Sequence, residues 1–245
     1  MVTTHDIQRP GKCLIDRFEG IGSATCAGEL KRLGVSNPFI QGPTAFTPGR
    51  KVVGPALTLQ FMPKREDLYP EDEYSDPEMQ LHRHALYNTQ PGDVIVVDAR
   101  GDMNSGIFGE MMLTYFMGKG GLGAVIDGCI RDWPEAKGLD LGFWLRGVTP
   151  NFHTQTNLMP FAVNEPVACS NVLVMPGDII VADDDGAVVV PIALAEEVVK
   201  KASVHAEWEL FSREKLEAGG DLRRYYPLKD EARSEYEEWK KAQGK

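Results

Sequence analysis

Two echoing passages constrain the fold of this chain most. Pro91-Gly92-Asp93 leads into Val94-Ile95-Val96-Val97-Asp98 and then Arg100-Gly101, and Pro176-Gly177-Asp178 leads into Ile179-Ile180-Val181-Ala182-Asp183 and then Asp185-Gly186. Each is a tight turn delivering a wholly apolar strand that ends in an acid, and a strand apolar on both faces must be covered on both. The echo has two readings: two strands used alike in one sheet system, or the same turn-and-strand chemistry met twice. From Val163 to Pro191 strand-like runs follow one another with almost no room for crossover helices. There is also no GxGxxG after the first strand and no GxxxxGK[ST]. A doubly wound dinucleotide fold therefore fits poorly, and compact mixed α/β layers, sheets flanked by helices, fit better.

The remaining segments fill in that plan. Leu14 to Leu33 reads as helix broken near Gly20-Ile21-Gly22, with Ser23 or Thr25 as cap for a second segment. Val52 to Phe61 is β-rich, and Gly54-Pro55 inside it predicts a bulge or an edge position. Pro63 to Pro77 is polar, acidic and rich in proline, an inserted loop. In the helix expected over Glu78 to Thr89, His82 and His84 stand two apart and face different sides, which argues against a shared metal. Ala193 to Leu216 is the longest helix candidate, and the charged segment Tyr225 to Lys245 is expected to end in a short helix lying on the body or on a neighbouring subunit.

A chain of 245 residues with 42% apolar and 25% charged residues can bury a substantial core. Its net charge of -10 argues against a nucleic-acid partner, which calls for a basic patch. Cys13, Cys26, Cys129 and Cys169 are widely spaced and form no CxxC pair, the pattern of free thiols in a reducing compartment. The start MVTTHDIQRPGK lacks the apolar run of a signal peptide, and no stretch of eighteen apolar residues occurs. A cytoplasmic protein with no membrane partner is the expectation.

Chemistry concentrates between Gly106 and Glu135, read as a glycine-led loop, a helix, a Gly-rich turn, an apolar strand and then Arg131-Asp132 at the strand's carboxyl end. α/β proteins place ligands at such strand ends. The bland alternative is an Asp capping a helix beside an Arg in a surface ion pair. Glu110 falls in the first turn of the preceding helix, Asp132 and Glu135 share a helix face, and Asp98 and Asp102 lie at or just past a strand end. Hard oxygen ligands without paired Cys or His suggest Mg²⁺ or Mn²⁺ rather than structural zinc. Arg131 and the N–H groups at the helix start, Gly109 to Leu113, could hold a small carboxylate such as that of a 2-oxo acid. No lysine follows Lys119 in this unit, so nothing singles out a Schiff base.

Glu110, twenty residues, Arg131-Asp132, two more and Glu135 resemble the acidic-x20-Arg-Asp-x2-acidic pattern of the class II 4-hydroxy-4-methyl-2-oxoglutarate aldolases, which share a fold with the regulator of ribonuclease activity A in the RraA-like group. PGDVIVVDARG, GLGAVIDGCIRD and PGDIIVADDDGAVVVP look like the same family, and the resemblance runs from about Leu14 to His205. It implies an RraA-like α-β-β-α sandwich with mixed sheets flanked by helices, assembled as a homo-oligomer, a trimer or dimer of trimers, with sites between subunits. One domain over residues 1–210, with an inserted loop at 63–78, and a charged extension over 211–245 follow from it. The implied activity is a divalent-metal-dependent lyase that cleaves a 4-hydroxy-2-oxo acid to pyruvate by retro-aldol reaction through a metal-stabilised enolate, with oxaloacetate decarboxylation as a related outcome. By resemblance Asp132 binds the metal directly, Glu110 holds metal-bound water, and Glu135 completes the acidic set. Arg131 holds the pyruvyl oxygens, and the amides of Gly109, Glu110, Met111, Met112 and Leu113 hold the substrate carboxylate. A glutamate from a neighbouring subunit's C-terminal helix falls near Glu207, with Glu209 the alternative. The competing function is a non-catalytic, protein-binding regulator. Two further stretches stay open: Asp183-Asp184-Asp185, an ion or interface site against a strand end and turn, and His153, a substrate contact against an ordinary loop residue.

Overall fold

Alternation along the strands divides the molecule into layers. The computed structural model describes residues 5–69, 76–152 and 157–243. Its elements run α1 (Lys12–Asp16), α2 (Ser23–Arg32), β1 (Phe39–Ile40), β2 (Thr44–Ala45), β3 (Val52–Pro63), α3 (Leu81–Tyr87), β4 (Val94–Gly106), α4 (Glu110–Gly118), β5 (Gly123–Ile130), α5 (Trp133–Ala136), β6 (Gly142–Val148), β7 (Leu158–Val163), β8 (Val167–Cys169), β9 (Val172–Val174), β10 (Ile179–Asp183), β11 (Gly186–Val190), α6 (Ala195–Glu217), α7 (Leu222–Tyr225) and α8 (Arg233–Ala242). The strand order is β1-β11-β10-β3-β4-β5-β6-β2, with β7 also on β3 and β8-β9 as a separate hairpin. β3 to β6 are parallel, connected through α3, α4 and α5, whereas β10 and β11 join antiparallel.

Period-two alternation sends successive side chains into different cores. Ile95 and Val97 of β4 meet the helices on one side with Leu113, Phe116 and Phe108, while Val94 and Val96 face inward. Ile180 and Ala182 of β10 and Ala187 and Val189 of β11 join that inner core with Trp144 and the β8-β9 hairpin. Ile179, Val181, Val188 and Val190 point the other way, onto Phe18, Leu30, Val198 and Val199 of the α1-α2 and α6 layer. The result is a mixed α/β sandwich with central sheets flanked by helices on both sides. The echoing strands flank β3 on opposite edges, β4 parallel and β10 antiparallel. Their turns are closed alike: Asp93 accepts from the Gln90 N–H at 2.7 Å and Asp178 from the Met175 N–H at 3.0 Å. The echo is thus a shared turn chemistry serving two strands of one sheet.

Two local expectations are corrected and one is narrowed. Gly54-Pro55 is not a bulge of β3 but a locally one-sided position: both residues pair with β10, and the β4 pairing begins only at Ala56, so the missing Pro55 N–H costs no β3-β4 bond. Gly54 is needed because a Cβ there would collide with the Gly92 carbonyl. α2 begins at Ser23 without a cap from its own Ser or Thr side chains; Asp183 supplies the acceptor instead. The helix expected from Glu78 opens as a 3₁₀ turn over Pro77–Met79, and α3 proper starts at Leu81. α6 runs without a break through position 210, and its Phe211 packs against the rings of Tyr236 and Trp239 on α8 at 5.6 and 5.9 Å, so the terminal helix lies on its own chain. Among the described residues no helix is long and apolar enough to cross a membrane. The four cysteines are free thiols, Cys13 exposed and the others buried.

Candidate functional site

β4 is long and irregular, and this positions the site. Its pairing with β5 shifts between Val97 and Asp102 and again before Gly106, with Arg100 and Gly101 both at positive φ. The bend carries Gly106 beside Arg131, where a Cβ would stand 2.5 Å from the Asn151 carbonyl and 2.9 Å from the Arg131 Cβ. Phe108 and Gly109 then lead into α4, while β5 ends at Ile130 and delivers Arg131 and Asp132 beside the α4 N-terminus. Strand end and helix start meet because the Arg131 N–H donates to the Phe108 carbonyl at 3.0 Å.

Asp132 has φ +58°, a left-handed conformation that Asp tolerates better than most residues and that is uncommon outside glycine. Its carboxylate does not cap its own helix α5. Oδ2 reaches across to α4, accepting from the Glu110 N–H at 3.3 Å and lying 3.4 Å from Arg131 Nε. Both contacts are long, and the two side chains remain 43% and 38% exposed. Gly109 makes this approach possible: a Cβ there would stand 2.6 Å from Asp132 Oδ2 and 3.0 Å from Arg131 Nε. The Arg131 guanidinium also lies over the Phe152 ring, 5.8 Å from its centroid.

A cleft of about 170 Å³ opens here, lined by Gly106, Ile107, Gly109, Arg131 and Asp132, by Met111 and Met112 of α4, and by Gln80, His82, Arg83 and Phe152. Of the expected amide donors, that of Glu110 faces Asp132 and that of Leu113 bonds the Gly109 carbonyl at 3.2 Å. Met111 and Met112, in the first helical turn, have N–H groups without a helical acceptor.

The acidic set converges only in part. Glu110 does not line the cleft, and its Oε1 accepts from the Thr114 hydroxyl at 2.6 Å. Glu135 is exposed in the first turn of α5, outside the cleft lining. Asp98 is buried within β4, where burial raises its carboxyl above the usual range, and Asp102 accepts the N–H groups of Asn104 and Ser105 at 3.1 and 2.7 Å. Glu207, on α6, is bonded by the Tyr236 hydroxyl and lies 2.9 Å from Lys240 Nζ, while Glu209 lies 3.2 Å from His205 Nε2. Asp183 and Asp184 are consumed by backbone: Asp183 accepts Ser23 N–H and Oγ–H at 2.8 and 2.6 Å, and Asp184 accepts the Gly49 N–H at 2.9 Å. His153 lies outside the described residues.

Among the described residues no group of three or more His, Cys, Asp or Glu is gathered as a ligand set. One exposed carboxylate at an otherwise open cleft suits a hard cation that keeps most of its waters, and does not suit a protein cage of several ligands. Sequence reasoning missed the α3 wall. His82 and Gln80 are each 2% exposed and, with Arg83, border the cleft; buried polar residues opening a seven-residue helix were the available signal. A larger, open groove of about 400 Å³ between α2 and α6 includes Glu29, Arg32, His205 and Trp208. Its buried carboxylate Glu29 is already engaged by Arg32 and by His205 Nδ1 at 3.0 Å.

Comparison with known proteins fits this geometry. A solved structure of Streptomyces coelicolor RraAS2, described as an unusual member of the RNase ES inhibitor RraA protein family, is 45% identical with a TM-score of 0.76, covering 84% of this chain and 98% of that one. A protein described as a candidate 4-hydroxy-4-methyl-2-oxoglutarate aldolase from Halalkalibacterium halodurans is 32% identical over 193 residues, 79% of this chain and 78% of the relative. An uncharacterised Pseudomonas syringae protein shares the fold at a TM-score of 0.77 and 24% identity, over 94% of this chain and all of that one. The family model RraA-like, Aldolase/RraA, matches residues 23–189, and the chain belongs to that family.

Proposed function

We propose that the protein is a divalent-metal-dependent lyase that releases pyruvate from a 4-hydroxy-2-oxo acid by retro-aldol cleavage, with oxaloacetate decarboxylation as a related reaction. The observation that carries the reading is the meeting of Arg131, the exposed Asp132 carboxylate and the amide-bearing α4 start in one small cleft. The substrate's carboxylate lies on the free N–H groups of Met111 and Met112, and the Arg131 fork takes the 2-oxo oxygen. As the C3–C4 bond breaks, the 4-hydroxyl loses its proton and becomes a carbonyl, and the bonding pair moves through C3 onto the 2-oxo oxygen. Arg131 offsets that developing charge, and protonation at C3 completes pyruvate. Mg²⁺ or Mn²⁺, held directly by Asp132 and through water by Glu110 once it turns from Thr114, with Glu135 completing the acidic set, would supply Lewis-acid polarisation of the oxo acid.

In this reading the working protein is a homo-oligomer, a trimer or dimer of trimers. Glu207 from a neighbouring copy serves as the remaining carboxylate, after exchanging its bonds to Tyr236 and Lys240. The 45% identity to a structure described within the RNase ES inhibitor family favours a second reading, a protein-binding regulator that retains the pocket. A coupled pyruvate assay over 4-hydroxy-2-oxo acids and oxaloacetate separates the two. The lyase reading expects Mg²⁺-dependent release, abolished by EDTA and by Asp132→Ala. Turnover that survives both treatments would overturn the metal's role, and no release from any substrate would move the weight to the regulator.

A further inference from the structure

Arg131 is held unlike the better-buried arginines of this protein. Arg9 lies 2.8 Å from the Asp93 carboxylate and Arg146 is paired with Asp127, and each acid fixes its guanidinium and offsets its charge. The Arg131 Nε stands 3.4 Å from Asp132 Oδ2, longer than the roughly 2.7–2.9 Å of a charge-assisted bond. Its guanidinium carbon lies over the Phe152 ring, 5.8 Å from the centroid, inside the ~6 Å reach of a cation–π contact.

Phe152 is set in place by backbone. After β6 the Thr149 N–H donates to the Ile130 carbonyl at 3.0 Å, and the Gly106 N–H donates to the Asn151 carbonyl at 3.1 Å. Gly106 and Phe152 then form a parallel bridge, one that a Cβ at Gly106, 2.5 Å from the Asn151 oxygen, would disturb. The ring is thus tied to the same β4 and β5 ends that deliver Arg131, and both residues line the cleft.

A carboxylate at bonding distance would hold the guanidinium by consuming its N–H groups and its charge. A ring face attracts the cation but offers no lone pair, so the donors stay available to a ligand oxygen. A long, partly exposed side chain also loses rotamer freedom on binding unless a neighbour has already ordered it. We propose that Phe152 is a positioning residue of the cleft: it orders the Arg131 guanidinium without neutralising it, and so keeps the fork ready for the oxygen on which charge develops. This inference rests on the reading of Arg131 as the group that takes the 2-oxo oxygen.

Calorimetric titration of the full chain in Mg²⁺ with oxalate, a planar dianion with the outline of pyruvate enolate, tests the fork directly. Phe152→Leu, apolar but ringless, should weaken oxalate by about 3- to 30-fold, the range of a cation–π contact, at an unchanged melting temperature. Phe152→Tyr, which keeps the ring, should stay within about twofold of wild type. Phe152→Met is also ringless and gives the readout if the Leu variant does not fold. In an Arg131→Met background, Phe152→Leu should change the affinity by less than about twofold, since the group it orders is gone. If Arg131→Met alone abolishes binding, oxalate lies on Arg131 and the comparison of the Leu and Tyr variants decides. Unchanged affinity in Phe152→Leu, equal weakening in the Leu and Tyr variants, or equal weakening with and without Arg131 would overturn Phe152's role while leaving the 2-oxo-acid site standing. No binding of oxalate by the wild type would overturn the underlying reading and this inference together.

Discussion

Two strand ends in this protein carry acids beside a helix start, and they are built to opposite purposes. At the end of β10, Asp183 accepts Ser23 N–H, Ser23 Oγ–H and Asp185 N–H at 2.6 to 3.1 Å, and Asp184 accepts the Gly49 N–H. These carboxylates do the work of caps and turn ties. At the end of β5, Asp132 has two contacts longer than 3.2 Å, a left-handed backbone and a side chain 43% exposed to a cleft. The difference teaches that hydrogen-bond saturation, rather than acidity or position, separates a structural aspartate from one left open to a ligand.

The sharpest way to break this contrast is to remove each acid in turn. Asp132→Ala and Arg131→Ala are expected to lower pyruvate release by about 10²- to 10³-fold, the usual loss when an electrostatic contact to a developing charge is removed. Their denaturant midpoints should stay close to wild type, because neither residue is buried. Asp183→Ala should do the reverse, losing about 2 kcal/mol of stability in urea unfolding through the uncapped α2 N-terminus, with the activity of the folded protein retained. A stability loss at Asp132 matching that at Asp183 would erase the distinction.

Gly109→Ala sharpens the comparison from the backbone side. Its φ of -98° suits any residue, so the whole effect must come from the new methyl, 2.6 Å from Asp132 Oδ2 and 3.0 Å from Arg131 Nε. Activity should fall by roughly 10- to 100-fold as the pair is displaced, while stability changes by about 1 kcal/mol. The smallest effect concerns the thiols. Burial pushes the Cys26 thiol up to about 12 and Cys129 up to about 11, so both stay protonated and unreactive at pH 8. A thiol-reactive dye on the native protein should label Cys13 rapidly and the other three only on unfolding. Rapid labelling of Cys129, whose strand leads to Arg131, would indicate that β5 opens more readily than its burial implies.

Much of the layer plan was legible because it depends on local patterns. The Pro-Gly-Asp turns, the apolar strands after them and the helix-poor stretch before Pro191 carry their own periodicity, and the layers follow from it. The end of α2 was legible as well, but its cap was not, since the acceptor comes from Asp183, 160 residues away. Gly54-Pro55 was legible only in part: the one-sided position could be read locally, whereas the need for glycine is set by Gly92 on the neighbouring turn.

The sequence by itself determined which residues stand at the carboxyl end of β5 and that α4 begins beside them, because strand end, glycines and helix start are contiguous in the chain. It also determined the family, through the spacing of Glu110, Arg131, Asp132 and Glu135. Only the tertiary structure decided how each carboxylate is used. Glu110 turns to Thr114, Asp132 reaches α4 instead of capping α5, and Asp183 is spent on α2. It alone brought His82 and Arg83 of α3 into the lining of the cleft. A side chain's partners are fixed by packing across the sheet and between layers, and one-dimensional spacing holds no record of those distances.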